Sequence, residues 1–346
     1  MTSREWMPRP TARRAPGKES GAPINRRRTP RWVPPLAVVS GFVLAAAVLH
    51  REMRTVRYAD VAAAAAALPG ARVVYALLLT ALAYLALTRY DALALSYAKR
   101  RVSERRVMFG AFVAYAMSQT LGFALVTGGA LRFRFWSAWG LSTGEIARAI
   151  AFSGTTFTIG LLFVTGTAFV LHPADGVLPP PLTVTVVRAL GLVSLAVVSS
   201  YVFANVSRET PVRLLGWELP MPGWRLALMQ LAVAIVEWTL ATMVLYVLLP
   251  AGHGMGVLAF SALFLLAQVA GLLSHVPGGV GVFDTLMVLL MKPAVPVEQM
   301  MATLLLYRLV YYLLPMVVGA VLLAVYEARA RVVGAADESS RGIALL

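Results

Sequence analysis

Charged side chains inside long apolar runs are the residues of this sequence best suited to chemistry. Glu237 lies near the middle of an apolar run at 226–249, and its face of the helix is small and polar. A central acid costs roughly 2.5–3.5 kcal/mol on translocon scales, so such residues usually face the interior of a helix bundle. Glu237 therefore suits a cationic headgroup or proton exchange. A protonated structural glutamate, bonded to a neighbouring helix, is the alternative.

Arg308 lies near the start of another apolar run, at 301–326, where two phenols follow at positions that stack above it. These are Tyr311 and Tyr312. Pro315 has no N–H to offer the carbonyl of Tyr311 and is expected to kink the helix there. Because arginine forms bidentate bonds to phosphate oxygens, this cluster predicts phosphate binding. Snorkelling of Arg308 to the nearer interface is the alternative.

Two further arginines, Arg132 and Arg134, follow a Gly-Gly pair and alternate with aromatic residues over 131–139. In an extended segment, residues two apart share a face, so both guanidinium groups would point to one side. Arginines among aromatics are typical of a segment at headgroup level. An aromatic belt with snorkelling arginines is the alternative.

The sequence Pro-Gly-Gly-Val-Gly at 277–281 cannot form a stable helix. At membrane depth, irregular backbone is tolerated only inside protein or along a cavity. Its backbone amides, followed by a short helix from Val282, form a candidate phosphate cradle. Asp284 in the first turn of that helix suits the helix dipole.

Asp91 and His275 are secondary candidates. Asp91 lies near one end of the apolar run at 73–98, with Tyr84 and Thr88 on its face; an interfacial acid beside the basic loop at 99–106 is the alternative. With four histidines and no cysteine, we expect no metal and no cofactor. The candidate headgroup-binding residues are Arg132, Arg134, Glu237, Pro277, Gly278, Gly279, Gly281, Asp284, Arg308 and Tyr312.

Composition fixes the class of protein that holds these residues. The chain is 59% hydrophobic and 14% charged, whereas soluble domains are about 45–50% apolar and about 25% charged. We therefore predict an all-α polytopic membrane protein. The net charge of +15 is carried mostly between or outside the apolar runs, as the positive-inside rule predicts, so nucleic-acid binding is not expected.

The chain is predicted to have a disordered basic arm at 1–32, a transmembrane domain at 33–326 and a cytoplasmic tail at 327–346. Because a span needs about 20 apolar residues, we expect about eight transmembrane helices plus two short segments interrupted by glycine. The apolar runs lie at 33–49, 73–98, 107–126, 145–171, 182–206, 226–249, 255–274 and 301–326. The second of the two short segments lies at 282–291.

The basic loops at 99–106 and 207–225 are both predicted to be cytoplasmic, as are both termini. Three full runs separate these loops, and an odd number cannot join two points on one side. A broken or re-entrant helix beside each Gly-Gly pair restores the parity in both halves, and such helices mark a transporter's binding site. A misassigned loop is the alternative.

Four stretches of this sequence resemble the membrane domain of the lysylphosphatidylglycerol flippase/synthetases, the multiple peptide resistance factor family. They lie at 127–152, 273–291, 304–323 and 87–102, within a match over roughly 70–326. The resemblance places Arg132, Arg134, Pro277, Gly278, Gly279, Gly281, Asp284 and Arg308 at motif positions. It leads us to expect glutamate where this chain has Asp284.

The resemblance implies a domain that moves an aminoacylated phospholipid between leaflets of a bacterial plasma membrane. Full-length members continue into a soluble aminoacyl-transfer domain, whereas this chain ends at Leu346, so we expect a stand-alone member that is not an enzyme. A headgroup would enter a polar cavity between two halves. Phospholipids and a separate lipid-modifying enzyme are the expected partners, and a homo-oligomer is left open.

Two other functions remain at this point. A non-transporting scaffold for a lipid-modifying enzyme would use the basic arm and the 207–225 loop for docking and would have no enclosed polar site. A membrane-embedded lipid enzyme would need a nucleophile or metal constellation, and the sequence offers no recognisable one.

Overall fold

A computed structural model describes residues 66–121, 124–173, 182–207, 212–214, 217–219, 221–274, 279 and 281–343, with Ala59, Ala63 and Leu178. The predicted arm at 1–32 and the first apolar run at 33–49 lie outside the described residues. So do three predicted site residues, His275, Pro277 and Gly278.

The described chain is almost entirely helical, and its helices match the predicted apolar runs closely. They are α1 (Gly70–Tyr97), α2 (Glu104–Leu121), α3 (Ala124–Ala138), α4 (Thr143–Leu171), α5 (Val184–Ser207), α6 (Trp224–Leu248), α7 (Val257–Leu273), α8 (Val282–Met291), α9 (Val297–Tyr307), a π-helical segment (Arg308–Leu313) and α10 (Leu314–Ile343). Within this part of the chain, five helices are long and apolar enough to cross a membrane: α1, α4, α5, α6 and the continuous helix Val297–Arg329. The protein is thus a polytopic helical membrane protein.

The first Gly-Gly pair does not break a helix; it lies inside the short helix α3, which folds back against α2. A Cβ on Gly128 would lie 3.1 Å from the Ser118 side chain, and one on Gly110 would lie 2.8 Å from the Trp139 ring. The rings of Phe109 and Phe135 are 5.6 Å apart. Because contacts pair the end of α2 with the start of α3, the two helices form an antiparallel hairpin.

A second hairpin is formed by α7 and α8. Gly279, between these helices, has a φ of 62°, and a Cβ there would lie 3.6 Å from Gly271 Cα. The rings of Phe264 and Phe283 are 5.5 Å apart, farther from the tip on both helices. The positive φ at Gly279 favours glycine because other residues are strained in that region.

The two hairpins begin at opposite ends of the bundle. At the base of the α2–α3 hairpin, Arg100, just after α1, donates two hydrogen bonds of 2.8 and 3.0 Å to Glu145 at the start of α4. The α7–α8 hairpin begins after Leu249, whose carbonyl accepts a 2.6 Å hydrogen bond from Arg72 at the opposite end of α1. Each half therefore has two helices long enough to cross a membrane beside one hairpin, rather than the three full runs that we predicted.

Small residues let α4 lie close against its neighbours. A Cβ on Gly160 would clash with the Cβ of Ala234 on α6, and one on Gly166 would lie 2.9 Å from the Gly191 carbonyl on α5. Close approach at small residues is typical of membrane helix packing, where van der Waals contact drives association. This contact places Gln230 and Glu237, on the same face of α6, inside the bundle.

Two regions outside the bundle differ from a simple loop and tail. In the predicted loop at 207–225, two three-residue strands, Val212–Leu214 and Trp217–Leu219, pair antiparallel. Helix α10 continues to Ile343, through most of the predicted tail at 327–346.

Candidate functional site

The interior of the bundle contains two ion pairs that join residues far apart in sequence. In the first, Arg132 Nε on α3 donates to both carboxylate oxygens of Asp91 on α1, at 3.0 and 2.9 Å. Asp91 is completely buried and Arg132 is 6% exposed. Ser153 on α4 and Tyr115 on α2 also donate to Asp91, at 3.3 and 3.4 Å. Asp91 is thus an interior residue rather than an interfacial acid.

Arg132 keeps one hydrogen-bond donor unused. Its Nη2 atom is buried and has no hydrogen-bond partner among the described residues. The guanidinium carbon lies 4.3 Å from the centre of the Tyr115 ring, in a cation–π contact. Buried donors are nearly always satisfied, and an arginine N–H is well suited to an anionic acceptor such as a phosphate oxygen.

Arg134 does not share this site. We predicted that Arg132 and Arg134 share a face of an extended segment, but that prediction is wrong because 124–138 is helical. Two residues along an α-helix point to different sides, and Arg134 forms an ion pair with Glu327 on α10. The aromatic belt is only partly found, since Phe135 and Trp136 are buried in the core while Phe133 is exposed.

The second ion pair joins the α7–α8 hairpin to the π-helical segment. Arg308 Nε donates to Asp284 Oδ1 at 3.1 Å and Arg308 Nη2 to Oδ2 at 2.5 Å, a bidentate arrangement. Arg308 is therefore buried and paired rather than snorkelling. Asp284 also accepts a 2.9 Å hydrogen bond from the Gly281 amide, so it caps α8 as well.

The predicted phosphate cradle is only partly visible. Of the residues at 277–281, Gly279 and Gly281 are described, and the Gly281 amide is already bonded to Asp284. That amide is not free for a phosphate, so a role for Gly281 in binding through its N–H does not fit. A positive φ of 85° at Gly281 brings the chain into the capping geometry.

Glu237 lies between the two ion pairs. Tyr90 Oη, next to Asp91 in sequence, donates to Glu237 Oε2 at 3.1 Å, and Tyr311 Oη, on the π-helical segment, donates to Oε1 at 3.4 Å. Glu237 is 3% exposed. Among the described residues, no lysine, arginine or histidine forms an ion pair with it.

The inward polar face of α6 is confirmed and extends beyond Glu237. Gln230, Ala234 and Ala241 are all buried. Gln230 accepts a 2.6 Å hydrogen bond from Tyr201 on α5 and donates at 2.7 Å to Thr156 on α4. This network holds α4, α5 and α6 together and leaves Glu237 as the charged member of the face.

The free carbonyl predicted from Pro315 is confirmed. The carbonyl of Tyr311 accepts a 3.2 Å hydrogen bond from Tyr84 Oη on α1. The next carbonyl, that of Tyr312, accepts from Thr120 at the tip of the α2–α3 hairpin, at 3.1 Å. These two main-chain acceptors join the first half of the chain to the second.

Among the described residues, the polar groups of this region contact one another directly. Tyr312 packs edge-on against Tyr307 and Tyr311, with centroids 5.6 and 5.1 Å away. Sequence reasoning missed Tyr90, Tyr115 and Ser153, because nothing in their spacing indicates which distant acid they contact.

These features define a class: a polytopic helical membrane protein with two opposed helical hairpins and buried, paired charges at their junction. Residues 35–319 match the family model described as the lysylphosphatidylglycerol synthase TM region, so the chain belongs to that family. This confirms the resemblance drawn from its motifs.

Three proteins are similar to this chain over different shares of their length. The uncharacterized protein slr0712 of Synechocystis is 34% identical over 83% of this chain and 89% of its own length. Inner membrane protein YbhN of Escherichia coli is 28% identical over 76% of this chain and 82% of its own length. Phosphatidylglycerol lysyltransferase of Staphylococcus aureus is 39% identical over 93 residues, which are 26% of this chain and 11% of that protein.

Proposed function

We propose that this protein is a phospholipid translocase that moves anionic or aminoacylated phospholipids, such as lysylphosphatidylglycerol, between leaflets of a bacterial plasma membrane. In this proposal it is not an enzyme, needs no cofactor, and has both termini in the cytoplasm. Its substrate is membrane lipid, supplied in some cases by a separate lipid-modifying enzyme.

The unpaired Nη2 of buried Arg132 is the observation that carries this proposal. A purely structural ion pair would use its donors on protein acceptors, because an unmade buried hydrogen bond costs about 1–3 kcal/mol. A phosphodiester oxygen is an acceptor of the right charge, and arginine binds it with directional N–H donors. The Tyr115 ring beneath the guanidinium holds it in place.

The second ion pair contains an arginine of the same kind, on the side of the second hairpin. Arg308 is held by Asp284 on the hairpin that begins at the other side. Each arginine is thus paired with a carboxylate. A phosphate is also an anion, so it can take the place of that carboxylate on the arginine. Exchange of carboxylate for phosphate, first at one pair and then at the other, provides a route for the headgroup while the acyl chains stay in lipid.

The two opposed hairpins suit alternating access, in which the binding site opens to one side of the membrane at a time. Inverted repeats with a site at their junction are the common architecture of transporters that open to one side at a time. Here the tip of the α2–α3 hairpin contacts the π-helical segment through Thr120, one turn from Arg308. A movement at one hairpin is therefore transmitted to the other pair.

The relatives support a role in lipid biology, since one of them is a phosphatidylglycerol lysyltransferase. A scaffold for a lipid-modifying enzyme would not need buried charges at the junction of two hairpins. Such charges are expensive in a membrane interior and usually mark a transport path.

The test is a leaflet-resolved lipid assay in vesicles containing the purified protein. Fluorescent phosphatidylglycerol and its lysyl ester are added separately, and the fraction accessible to a membrane-impermeant quencher is followed in time. The proposal predicts faster movement of at least one of them than in protein-free vesicles. It also predicts at least a tenfold loss of rate in Arg308→Ala, which corresponds to about 1.4 kcal/mol of barrier.

Two controls make the result interpretable. Arg106→Ala changes an exposed arginine of α2 and should keep the wild-type rate. Each variant must elute as a single folded species in detergent before reconstitution. Equal rates in wild-type and protein-free vesicles for both lipids would contradict the proposal and favour the scaffold.

A further inference from the structure

Glu237 is a buried carboxylate that the two arginine sites do not use. Its two oxygens accept from Tyr90 and Tyr311, which belong to opposite halves of the chain. A buried charge is normally paired, because desolvation of an isolated ion is costly. Two phenols alone compensate a carboxylate only partly, so a proton on Glu237 or a cation beside it would complete the compensation.

Phenol groups cluster at Glu237, and two of them donate hydrogen bonds to its carboxylate. Six phenols from four elements are near enough to interact with it or with its hydrogen-bond partners: Tyr84, Tyr90, Tyr115, Tyr307, Tyr311 and Tyr312. Tyr311 stacks on Tyr307 with centroids 5.4 Å apart. Tyrosine faces attract ammonium groups, and cages of aromatic rings are the usual recognition site for organic cations.

The other elements that pack on α6 place no further charge against Glu237 among the described residues. Helix α4 contributes Thr156 and the Gly160 contact, and α5 contributes Tyr201, which is bonded to Gln230. The two ion pairs that adjoin its phenol partners are Asp91 with Arg132, where Asp91 follows Tyr90 in sequence, and Asp284 with Arg308, and each pair is neutral as a unit. A proton or an ammonium group would therefore be the only cation at Glu237.

We infer that Glu237 is an exchange site that holds either a proton or the primary ammonium group of a phospholipid headgroup. This rests on the proposed translocation and names its energy source: protons moving one way exchange for ammonium-bearing lipid moving the other way. In the lipid-bound state the phosphate lies on Arg132 or Arg308 and the ammonium group lies in the tyrosine cage. In the return state the carboxyl group is protonated.

The two phenols can accommodate both the carboxylate and the carboxylic acid. With the carboxylate, Tyr90 and Tyr311 both donate. With the carboxylic acid, one hydroxyl rotates to accept the new proton, since a phenol is both donor and acceptor. The site therefore has one positive charge or proton at each step and never leaves a bare carboxylate in the interior.

The test imposes a pH difference across vesicles that contain the purified protein. Lysylphosphatidylglycerol and phosphatidylethanolamine carry an ammonium group, whereas phosphatidylglycerol does not. With an acidic lumen, both ammonium-bearing lipids should accumulate in the inner leaflet, by up to about tenfold per pH unit for one-to-one exchange. Phosphatidylglycerol should equilibrate between leaflets without responding to the gradient, and protein-free vesicles should show no accumulation on this timescale. Accumulation of one ammonium-bearing lipid alone would assign the site to that headgroup.

Variants separate this inference from the translocation itself. Glu237→Gln can neither take up a proton nor pair with an ammonium group, so the ammonium-bearing lipids should lose the response to the pH difference. Glu298→Gln, at an exposed position of α9, should keep both the translocation and that response. Glu237→Asp retains a titratable group and should keep part of the response. Should Glu237→Gln not fold, the comparison of the three lipids in wild type still decides the question.

Three results would overturn the inference. The first is equilibration of all three lipids by wild type with no response to the gradient, which leaves the proposed translocation intact. The second is an equal response of phosphatidylglycerol, which removes the ammonium group from the argument. The third is the absence of movement of any lipid, in which case the proposed function fails as well.

Discussion

Arg132 Nε lies 3.0 and 2.9 Å from the two carboxylate oxygens of Asp91, across 41 residues of sequence. This contact joins the re-entering helix α3 to the long helix α1 and leaves the outer guanidinium nitrogen Nη2 unpaired among the described residues. The pair therefore does two things. It fixes the first hairpin against the bundle and holds a donor ready for a ligand.

The structural role of this ion pair predicts that substitutions of Arg132 and Asp91 have strongly non-additive effects on the free energy of unfolding. Arg132→Met leaves Asp91 buried without its cation and should lower the free energy of unfolding by about 3–5 kcal/mol. The double variant Asp91→Asn with Arg132→Met removes both charges and should recover most of that loss. Reversible unfolding in detergent micelles measures both values. Additive losses would show that the two side chains do not depend on each other.

The carbonyl of Tyr311, which cannot bond to Pro315, predicts that replacing this proline offsets the loss of stability caused by Tyr84→Phe. Tyr84→Phe removes the donor to the Tyr311 carbonyl and should cost about 1–3 kcal/mol, the penalty of an unsatisfied buried acceptor. In the double variant with Pro315→Ala, the new amide N–H at 315 can bond that carbonyl, so the cost of Tyr84→Phe should shrink. The same unfolding measurement on four proteins tests this. An unchanged cost would mean that the π-helical turn, rather than proline, keeps the carbonyl free.

The crossing of α4 and α6 predicts a sharp contrast between two glycines of one helix. Gly160→Ala forces a methyl group into Ala234 and should destabilise the protein by about 1–3 kcal/mol through overpacking. Gly154→Ala has open space around it and should be neutral or slightly stabilising, because alanine favours helix over glycine. Thermal unfolding midpoints of the two variants provide the comparison. Equal midpoints would contradict the close contact.

The bidentate contact between Arg308 and Asp284 predicts that charge alone is insufficient. Arg308→Lys keeps the cation but loses the planar pair of donors, so translocation should slow at least about tenfold. Arg106→Lys, at an exposed position of α2, should leave the rate unchanged. Rates come from the leaflet-resolved assay. Full activity of the lysine variant would indicate that the site needs only a positive charge and not the planar pair of guanidinium donors.

Much of the fold could be predicted because apolar run length and glycine placement are local properties. The bounds of α8 at 282–291 agree with the predicted short segment, and the inward face of α6 followed from the spacing of Gln230, Ala234 and Glu237. Two basic loops on the same side of a membrane require an even number of crossings between them, which predicts a returning segment in each half. The run at 107–126 ends earlier than predicted, at Leu121.

The partners of the site residues could not be predicted in the same way. Asp91 meets Arg132 and Tyr90 meets Glu237 across 41 and 147 residues, and a single sequence holds no record of such pairs. The helical conformation around Arg134 could not be predicted, because a stretch with two arginines among aromatics fits an extended interfacial segment as well as a helix. The neighbouring helices decide between these, and they are not visible in local spacing.

The most direct test of the central claim compares two arginines that lie two residues apart on α3. In the leaflet-resolved assay with lysylphosphatidylglycerol and phosphatidylglycerol, Arg132→Ala should lose at least about tenfold in rate, or 1.4 kcal/mol of barrier. Arg134→Ala removes a peripheral ion pair with Glu327 and should stay within about twofold of wild type. Equal rates for the two variants in folded protein would contradict the assignment of Arg132 as the headgroup-binding arginine.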